Sequence, residues 1–570
     1  LFRSRKRKTV TIRQSSEDTY EESYDKLVIS TGASPVRPPL PGIDLSGIFT
    51  LRNVTDTDRI KEYIKSHAPR KAVIVGAVFI GLEMAENLHA QGAKVSIVEM
   101  GNQVMAPIDF SMASLVHQHL MDKGVNLYLE QAVASFSREG KGLKVTFKNG
   151  QSISADIVIL SIGVRPETSL ARAAELTIGP AGGIAVNDYL QTSDESIYAI
   201  GDAIEFRHPI TGKPWLNYLA GPANRQGRIV ADNVLGAKIP YEGSIGTSIA
   251  KVFDMTVAST GLPGKRLRQE EIDYMSSTIH PASHAGYYPD AMPMSIKITF
   301  DKKTGRLYGG QIVGYDGVDK RIDELALVIK HEGTIYDLMK VEQAYAPPFS
   351  SAKDPVALAG YVAEDIITGK TNPVYWRELR DIEMENKFLL DVRTPDEYSL
   401  GSLPGAVNIP LDDLRDRLAE LPLQRELVLA DLLGERLVRE LVEAGVRAGV
   451  RGDLVPGVER GQDLRVHAPH EHVLVLPGVF PGLDAGIEVE GALQAVEVEE
   501  RDKAHVLADA VVVGEGQRAR LAAGELKHGA PPPLRRLIPH RSGRRQRSRR
   551  RPSRAGRDSP RPGSAGPPCR

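Results

Sequence analysis

A glycine-rich segment between an apolar run and a helical pattern is the first feature whose residues could do chemistry. Gly76 and Gly81 follow the run Lys71–Val75, and Glu99 stands at the end of the next apolar run. The free N–H groups of a helix N-terminus bind a pyrophosphate, and an acidic residue after the next strand accepts hydrogen bonds from the adenosine ribose. Because its charge would repel a 2′-phosphate, Glu99 favours NADH over NADPH. The predicted dinucleotide site consists of Gly76, Phe79, Ile80, Gly81 and Glu99.

Val78 departs from this pattern, because it stands where a second glycine lets the backbone approach the phosphate closely. A β-branched side chain at this position is expected to displace the nucleotide and weaken its binding. The alternative interpretation is an ordinary strand–turn–helix unit that binds no nucleotide.

Three further segments surround this motif in a characteristic order. Residues 24–33 form a strand pattern ending in Thr-Gly-Ala, residues 197–203 form a second one ending in Gly-Asp-Ala, and residues 220–228 open a helix. Together they resemble the pyridine nucleotide-disulfide oxidoreductases, which are flavoproteins with two dinucleotide sites. Three more segments are similar to the branch of coenzyme A-disulfide reductases, NADH oxidases and persulfide reductases: residues 286–289, 314–321 and 345–355.

This resemblance implies FAD and NADH as cofactors, with electrons passing from NADH through FAD to a sulfur substrate. Asp202 would accept a hydrogen bond from a ribityl hydroxyl, and the helix that contains Ala223 would point its N–H groups at the flavin. An aspartate that only shapes a turn is the alternative for Asp202. The other implied contacts are Thr31, Gly32, Ala33 and Gly201 for FAD and Gly163 for NADH.

The resemblance also implies a homodimer that acts on a coenzyme A-linked disulfide or persulfide. Tyr345, the one candidate catalytic side chain, would reach across the two-fold interface toward the partner's flavin and the thiol substrate. Tyr287 and Lys353 would hold the coenzyme A portion, and Arg225 is a further candidate for binding its phosphate. The alternative for each is an interface or core residue without a ligand contact.

The thiol chemistry of this branch uses a cysteine early in the chain, whereas the only cysteine here is Cys569. Because disulfide exchange requires a thiolate, the sequence as written is not expected to perform it. We therefore expect a chain that begins after the cysteine-containing part of its FAD domain. Two alternatives remain open: an NADH oxidase or peroxidase, and an inactive, flavin-free dimerising fragment.

Residues 388–398 and 401–410 resemble the start of a rhodanese domain. Ser402 stands where that family usually has histidine, and no cysteine occupies the loop expected after Ile409. A module without this nucleophile is expected to be non-catalytic. Its position beside a flavin reductase nevertheless indicates a persulfide or polysulfide substrate.

Composition changes abruptly near residue 425. Residues 426–570 contain no Met, Tyr, Trp, Thr or Asn and carry 22 Arg but 2 Lys, whereas the preceding part holds all 11 Met and all 18 Tyr. A folded domain rarely lacks five residue types, so we predict a frame-shifted or otherwise non-native tail. The alternative is a genuine low-complexity tail whose basic end, residues 541–561, would bind polyanions through charge.

The chain has 570 residues and a formal net charge of −1, which indicates neither a nucleic-acid nor a membrane partner. It contains no uninterrupted apolar run of about 18 residues, the length that a membrane-spanning helix needs. A single cysteine excludes a disulfide framework and a multi-cysteine zinc site. We therefore predict a cytoplasmic protein without a metal.

Alternating strand and helix patterns predict the elements that position these residues. The expected fold is α/β: two Rossmann-like FAD/NAD(P)-binding domains, the first incomplete, an α+β dimerisation domain, a partial rhodanese-like α/β domain and a disordered or non-native tail. Within it we expect a β-meander over residues 125–162, four strands over residues 249–313, and helices over residues 80–91, 322–331 and 356–367. The predicted domains are residues 1–52 (FAD, first part), 53–170 (NAD), 171–245 (FAD, second part), 246–371 (dimerisation), 372–425 (partial rhodanese) and 426–570 (tail).

Overall fold

A computed structural model describes residues 2–13, 19–375, 387–399 and 402–422, together with the strands Glu426–Ala430 and His472–Leu476. The rest of the predicted tail, with Cys569, lies outside the described residues, and so does Gly401.

The N-terminal part consists of short strands. The first three form an antiparallel sheet in chain order, while the fourth and fifth pair with strands that come much later in the chain. The bounds are β1 (Phe2–Ser4), β2 (Thr9–Arg13), β3 (Thr19–Ser23), β4 (Leu27–Ile29) and β5 (Ala33–Pro35).

A parallel five-stranded sheet forms the next domain. Its strands and helices are β6 (Ile48–Thr50), α1 (Val54–His67), β7 (Lys71–Val75), α2 (Phe79–Ala90), β8 (Lys94–Val98), α3 (Phe110–Asp122), β9 (Asn126–Tyr128), β10 (Val133–Glu139), β11 (Gly142–Phe147), β12 (Ser152–Ala155), β13 (Ile157–Leu160) and β14 (Val164–Pro166). The sheet order is β6-β13-β7-β8-β9, and every pair in it is parallel. This is the predicted Rossmann-like domain, and the expected strand at Lys71 and helix near residue 80 are confirmed.

The predicted four-stranded meander is wrong in its first and last strands. Only β10, β11 and β12 form an antiparallel meander, whereas β9 and β13 belong to the parallel sheet. Every residue of β13 is buried, which is the pattern of a parallel strand covered on both faces. Only short connections separate β9 from β10 and β12 from β13. The sequence therefore gives no sign that the chain changes sheets at these points.

The chain then returns to the N-terminal part, where one of its next strands pairs with β4. The elements are α4 (Ser169–Ala173), β15 (Ile184–Ala185), β16 (Ile197–Ala199), β17 (Ile204–Arg207), β18 (Pro214–Trp215) and α5 (Ala220–Val234). Strand β16 pairs in parallel with β4, so the two strands end at the same edge.

An antiparallel sheet with helices on one face follows. It contains β19 (Ser248–Val252), β20 (Met255–Gly261), α6 (Gly264–Gln269), β21 (Met275–Ile279), β22 (Met294–Phe300), β23 (Leu307–Gly314), α7 (Val318–Lys330), α8 (Ile335–Leu338) and α9 (Pro355–Ile367). The sheet order is β19-β20-β23-β22-β21. The four predicted strands are confirmed, β21 was missed, and α7 begins at Val318, earlier than predicted, because Val318 is buried on the same face as Ile322.

The two faces of this antiparallel sheet belong to different cores. Ala250, Val257 and Val313 pack into the core of the parallel-sheet domain together with residues of α2 and α3. The opposite face carries Ile296 and Ile298 against α7, α8 and α9. The sheet therefore joins the two domains through buried apolar surface.

The last described elements form a mixed five-stranded sheet in the order β24-β28-β27-β25-β26. They are β24 (Pro373–Tyr375), β25 (Lys387–Asp391), α10 (Pro395–Ser399), β26 (Val407–Asn408), α11 (Leu411–Leu414), β27 (Glu426–Ala430) and β28 (His472–Leu476). Strand β27 extends this sheet beyond residue 425, where the tail was predicted to start.

Candidate functional site

The glycine-rich turn after β7 has a backbone that tolerates no side chain at two positions. A Cβ atom on Gly76, whose φ is +99°, would lie 2.4 Å from the carbonyl oxygen of Ser161, and one on Gly81 would lie 2.1 Å from that of Gly76. The first helical hydrogen bond of α2 runs from the N–H of Leu82 to the carbonyl of Val78. The preceding N–H groups, including those of Phe79 and Ile80, have no partner within the helix and can bind a phosphate.

Glu99 is held at this turn, as the dinucleotide prediction requires. Its carboxylate accepts hydrogen bonds from the N–H of Ala77 at 3.0 Å and the N–H of Gly101 at 2.8 Å. Each carboxylate oxygen has further acceptor capacity, so the group can also bind ribose hydroxyls.

Val78 is the N-cap of α2 and adopts an extended backbone with φ −108° and ψ −166°. Any residue adopts this conformation, so the backbone itself does not require glycine here. The side chain is half-buried at the start of the helix. It therefore occupies space next to the unpaired N–H groups, where a phosphate would have to approach.

Thr31 and Asp202 lie close together because β4 and β16 end at one edge. The N–H of Ile200 donates to the carbonyl of Ile29 at 3.0 Å, immediately before the Thr-Gly-Ala and Gly-Asp-Ala turns. The guanidinium of Arg52 donates to the carbonyl of Thr31 at 2.9 Å. Burial raises the pKa of Asp202, and the charge of Arg52 opposes this rise.

The first turn of α5 faces the same edge. A Cβ atom built on Gly201 would lie 3.8 Å from the Cβ of Ala223, and the N–H of Gly201 donates to the buried side chain of Gln226 at 2.7 Å. Tyr218 lies close enough to Asp202 to feel its charge. Burial is the larger cause of the raised pKa of Tyr218, and the charge of Asp202 adds to it. The structure thus brings Thr31, Gly201, Asp202 and Ala223 to one place.

Hydrogen bonds hold together the strands that form the crossing between the predicted FAD-binding and NAD-binding domains. Strands β5 and β14 pair with Ala33 opposite Pro166, and the N–H of Glu167 donates to the carbonyl of Gly32 at 2.8 Å. The hydroxyl of Thr31 donates to the carbonyl of Glu167 at 2.6 Å. Gly163 stands at the start of this crossing and accepts a hydrogen bond from the N–H of Val36.

Tyr287 and Tyr345 meet on the antiparallel-sheet domain. Their hydroxyl oxygens are 3.1 Å apart, although the residues come from separate loops. They are 78% and 49% exposed, and the neighbouring Phe349 is 72% exposed. The hydrogen bond between the two hydroxyls raises the pKa of Tyr345.

Lys353 and Arg225 are exposed, and neither forms an ion pair within the described part of the chain. Lys353 lies in the loop that carries Tyr345. Arg225 lies on α5, where its charge lowers the otherwise raised pKa of the nearby Tyr241. Lys353 therefore shares a loop with Tyr345, and the phosphate-binding role of Arg225 stays a prediction.

Sequence reasoning missed several polar residues that hold this arrangement together. Arg52 and Glu167 connect the crossing strands, and the buried Arg321 connects the loops beneath the tyrosines. Arg321 left a signal in the sequence: it falls on the same helical face as the apolar residues Val318 and Ile322. A charged residue in that register indicates a buried polar partner.

In the mixed-sheet domain, Asp391 is fully buried and accepts hydrogen bonds from both the backbone N–H and the guanidinium of Arg393, the shortest at 2.7 Å. The side chain of Asn408 donates to the carbonyls of both residues. These contacts fix the strand end that resembles a rhodanese domain. Ser402 is exposed.

Among the described residues, no helix combines the length and hydrophobicity needed to cross a bilayer. Over the same residues, no cluster of three or more His, Cys, Asp or Glu side chains is arranged to hold a metal ion.

Three parts of the chain match known families. Residues 3–221 match the pyridine nucleotide-disulphide oxidoreductases, residues 247–356 match the dimerisation domain of these enzymes, and residues 375–451 match the rhodanese-like domain. The last match continues past residue 425, so the rhodanese-like domain extends into the predicted tail.

Individual relatives agree with these matches. The coenzyme A disulfide reductase of Staphylococcus haemolyticus is 36% identical over 359 residues, which cover 63% of this chain and 79% of that protein. The structure of reduced CoADR-RHD from Bacillus anthracis is 47% identical with a TM-score of 0.74, covering 78% of this chain and 80% of that one. The NAD-dependent persulfide reductase from A. fulgidus is 37% identical with a TM-score of 0.73, covering 78% and 81%.

The α/β fold, the enzyme class and the cofactor classes predicted from the sequence are confirmed by this family, whose members are FAD-binding, NAD(P)H-dependent oxidoreductases. On the combined matches to its sequence and its structure, the chain belongs to the pyridine nucleotide-disulphide oxidoreductase family and carries a rhodanese-like domain after its dimerisation domain.

Proposed function

We propose that this chain is an NADH-using, FAD-dependent oxidoreductase whose substrate is a coenzyme A-linked disulfide or persulfide. The relatives named above act on coenzyme A disulfide or on persulfide. The observation that carries the proposal is the parallel pairing of β4 with β16. This pairing puts the Thr31 and Asp202 turns at the crossing that leads to Gly163 and the glycine-rich turn.

The residues at this edge fit the flavin part of FAD. Asp202 is a partly desolvated carboxylate, which favours an acceptor role toward a ribityl hydroxyl. The first turn of α5 offers free N–H groups at Ala220 and Gly221, because its first helical bond starts at Ala223. When bound, FAD supplies the two-electron chemistry between a nicotinamide and sulfur. In this proposal Asp202 orients the ribityl chain, while Thr31, Gly32 and Ala33 shape the passage between the domains.

The nucleotide turn fits NADH except at one residue. The Glu99 carboxylate, anchored by Ala77 and Gly101, would accept from the adenosine ribose, and Gly76 with Gly81 would let the helix N-terminus approach the pyrophosphate. Val78 opposes this approach. We therefore propose that NADH binds, but more weakly than it would bind to the same turn with glycine at residue 78.

The two tyrosines are the proposed contact to the substrate thiol, in a homodimer formed through the dimerisation domain. A hydroxyl pair in which one group donates to the other can present the remaining proton to a thiolate or sulfide. Lys353, exposed on the same loop, would bind a coenzyme A phosphate by charge.

Thiol–disulfide exchange itself needs a thiolate, and residues 1–568 contain no cysteine. We therefore propose that these residues bind NADH, FAD and the sulfur substrate, and that two electrons pass from NADH to FAD without a mixed disulfide forming on this part of the chain. The same observation favours a second candidate, an NADH oxidase, since a reduced flavin without a thiol acceptor can react with oxygen. The rhodanese-like match, residues 375–451, also contains no cysteine and is proposed as a non-catalytic module.

Titration calorimetry of the full chain with coenzyme A disulfide tests the substrate assignment. We expect binding that Tyr345→Phe weakens by about tenfold, the effect of losing one hydrogen bond to a polar ligand group. Tyr288→Phe is the matched control, because Tyr288 is a half-exposed neighbour that packs against His284 instead. Glutathione disulfide, which lacks the nucleotide, is expected to bind no more than marginally.

The outcomes separate the candidates. A chain that binds FAD and consumes NADH with oxygen, but shows no affinity for coenzyme A disulfide, would support the oxidase. A chain that binds neither FAD nor coenzyme A disulfide but still dimerises would be the flavin-free fragment. Equal affinities of the Tyr345 and Tyr288 variants would remove the tyrosine pair from the site.

A further inference from the structure

The loops that carry the two tyrosines are tied together beneath the surface by one arginine. We define the first tyrosine loop as residues 283–292 and the second tyrosine loop as residues 345–353. Arg321 of α7 lies under both of them and is fully buried. A guanidinium in such a position is costly unless each neighbouring group pairs with it, so its contacts indicate what it holds.

Arg321 closes the first loop at its base. Its Nη2 donates to the carbonyl of Ser283 at 2.9 Å. Ser283 in turn exchanges hydrogen bonds with Met292, since the N–H of Ser283 donates to the carbonyl of Met292 and the N–H of Met292 donates to the Ser283 hydroxyl. The two ends of the loop that presents Tyr287 are therefore joined at the residue that Arg321 binds.

The same Nη2 holds the second loop. It lies 3.3 Å from the hydroxyl of Ser350 and 3.2 Å from the carboxylate of Asp354, and the Ser350 hydroxyl donates to that carboxylate at 2.5 Å. Burial would raise the pKa of Asp354, but the hydrogen bonds from Ser350, Val356 and Arg321 hold it below its usual value. The carboxylate therefore stays charged opposite the guanidinium.

The loops also contact each other directly. The N–H of Ala285 donates to the carbonyl of Ser350 at 3.1 Å. Gln343, just before the second loop, donates to Glu324 one helical turn after Arg321. Helix α7 thus supports both loops, and its Arg321 side chain forms hydrogen bonds with each of them.

We propose that Arg321 is a positioning residue, which holds the two tyrosine loops in one fixed arrangement and thereby sets the affinity for the coenzyme A-linked ligand. This inference rests on the proposed function for its ligand, but not for the coupling of the loops. Arg321 acts through Ser283, Ser350 and Asp354, and it does not contact the ligand. The residue that sets the spacing of the tyrosines is therefore distinct from the residues that bind the ligand.

Hydrogen–deuterium exchange of the full chain, read by mass spectrometry, tests the coupling without requiring activity. In Arg321→Met we expect exchange in both tyrosine loops to accelerate by about tenfold or more, because hydrogen bonds to a charged group are lost at each loop. Strands β22 and β23 are expected to keep their protection. Arg306→Met is the matched control, since Arg306 pairs with Glu332 beyond the other end of α7.

A second variant covers the case in which Arg321→Met does not fold. Ser350→Ala leaves the charges of Arg321 and Asp354 paired and removes only the hydroxyl between them, so we expect faster exchange in the second loop. Calorimetry with coenzyme A disulfide should show weaker binding to each folded variant and unchanged binding to Arg306→Met. Arg321→Lys, which keeps the charge but not the forked donors, is expected to retain the affinity only in part.

The outcomes of the two measurements are independent. Unchanged exchange in both loops, with the sheet intact, would overturn the positioning role. Faster exchange with unchanged affinity would overturn it too, because the loops would then not set binding. If the unsubstituted chain binds no coenzyme A disulfide, the proposed function fails, and the exchange result alone decides whether Arg321 couples the loops.

Discussion

At the residue scale, the backbone of the nucleotide turn requires glycine at residues 76 and 81. It does not require glycine at residue 78, where the chain has valine. Gly76 and Gly81 are fixed by contacts of less than 3 Å that any Cβ would make with backbone or neighbouring atoms. Val78 has an ordinary extended conformation and is tolerated by the fold. The turn therefore keeps its shape whether or not a phosphate can reach it.

Replacing Val78 with glycine tests this separation of fold from binding. We expect Val78→Gly to raise the affinity for NADH by about tenfold or more, since the phosphate regains hydrogen bonds to backbone N–H groups. Glycine is well tolerated at an N-cap, so stability should change little. Fluorescence titration with NADH measures the effect, and Val78→Leu, which keeps the bulk, is the control. Equal affinities for all three chains would show that residue 78 does not contact the nucleotide.

His208 is a second residue whose environment makes a specific prediction. It is buried, its Nδ1 accepts a hydrogen bond from the N–H of Ile210, and its ring packs edge-on against Trp215 at 4.9 Å. Burial, with the charge of Arg266, lowers the pKa of His208 from 6.5 to about 4. The native state therefore holds this ring neutral where the unfolded chain binds a proton.

Stability should consequently fall with acidification through His208. Because the native pKa lies below the unfolded one, the unfolded state takes up the extra proton between pH 6.5 and about 4. The loss from this one residue is at most about 3 kcal/mol. In His208→Asn, whose amide oxygen can replace Nδ1, the denaturant midpoint should depend less on pH over this range. His67→Asn, at an exposed histidine, should behave like the unsubstituted chain; if His208→Asn does so as well, the ring is not held neutral.

At the scale of elements, helix α3 is joined to the antiparallel sheet through Asp109. This N-cap carboxylate accepts hydrogen bonds from the N–H groups of Gly264 and Lys265 and from the side chain of Gln311, and it lies 3.6 Å from the ammonium of Lys297. Burial would raise the pKa of Asp109, but Lys297 and these hydrogen bonds hold it below 3.8. One charged group therefore connects the parallel-sheet domain to the dimerisation domain.

Asp109→Asn should destabilise the chain by about 3 kcal/mol at neutral pH, because it removes the buried negative charge that Lys297 and the N–H groups of Gly264 and Lys265 face. The stabilisation by Asp109 is complete above its unfolded pKa of 3.8 and is lost as pH falls toward the native value. Denaturant unfolding of both single variants and of Asp109→Asn combined with Lys297→Met measures the coupling. Strictly additive losses would show that the two charges do not interact.

The elements also show what the sequence could and could not predict. The helix near residue 80 and the strand at Lys71 were predicted because local apolar periodicity and two glycines define them. Strands β9 and β13 were assigned to the wrong sheet, because the register that pairs β13 with β6 and β7 is a long-range choice. Local pattern specifies an element, whereas its neighbours depend on contacts far along the chain.

In the candidate site, too, some residues could be predicted from the sequence and others could not. The family resemblance predicted that Asp202 and Thr31 contact the same FAD, and the parallel pairing of β4 with β16 brings their two turns together. Arg52 was not anticipated, because an exposed arginine before a helix has no distinctive pattern. Arg225, a further candidate for the substrate phosphate, is exposed on α5 near Tyr241, and its binding role stays a prediction.

At the scale of the whole molecule, the proposed function requires electrons to pass from a nicotinamide at the glycine-rich turn to a flavin at the Asp202 edge. The two sites are connected by a short crossing that β5, β14, Thr31 and Glu167 hold rigidly. The dimerisation domain, joined to the parallel sheet by a shared core, would bring the partner's tyrosines to the same place.

Anaerobic titration of the FAD-loaded chain with NADH, followed by flavin absorbance, measures this electron transfer. We expect NADH to bleach the bound flavin, with saturation at a lower NADH concentration in Val78→Gly than in the unsubstituted chain. A chain that retains FAD but keeps its flavin oxidised in excess NADH, even with glycine at residue 78, would contradict the proposed function.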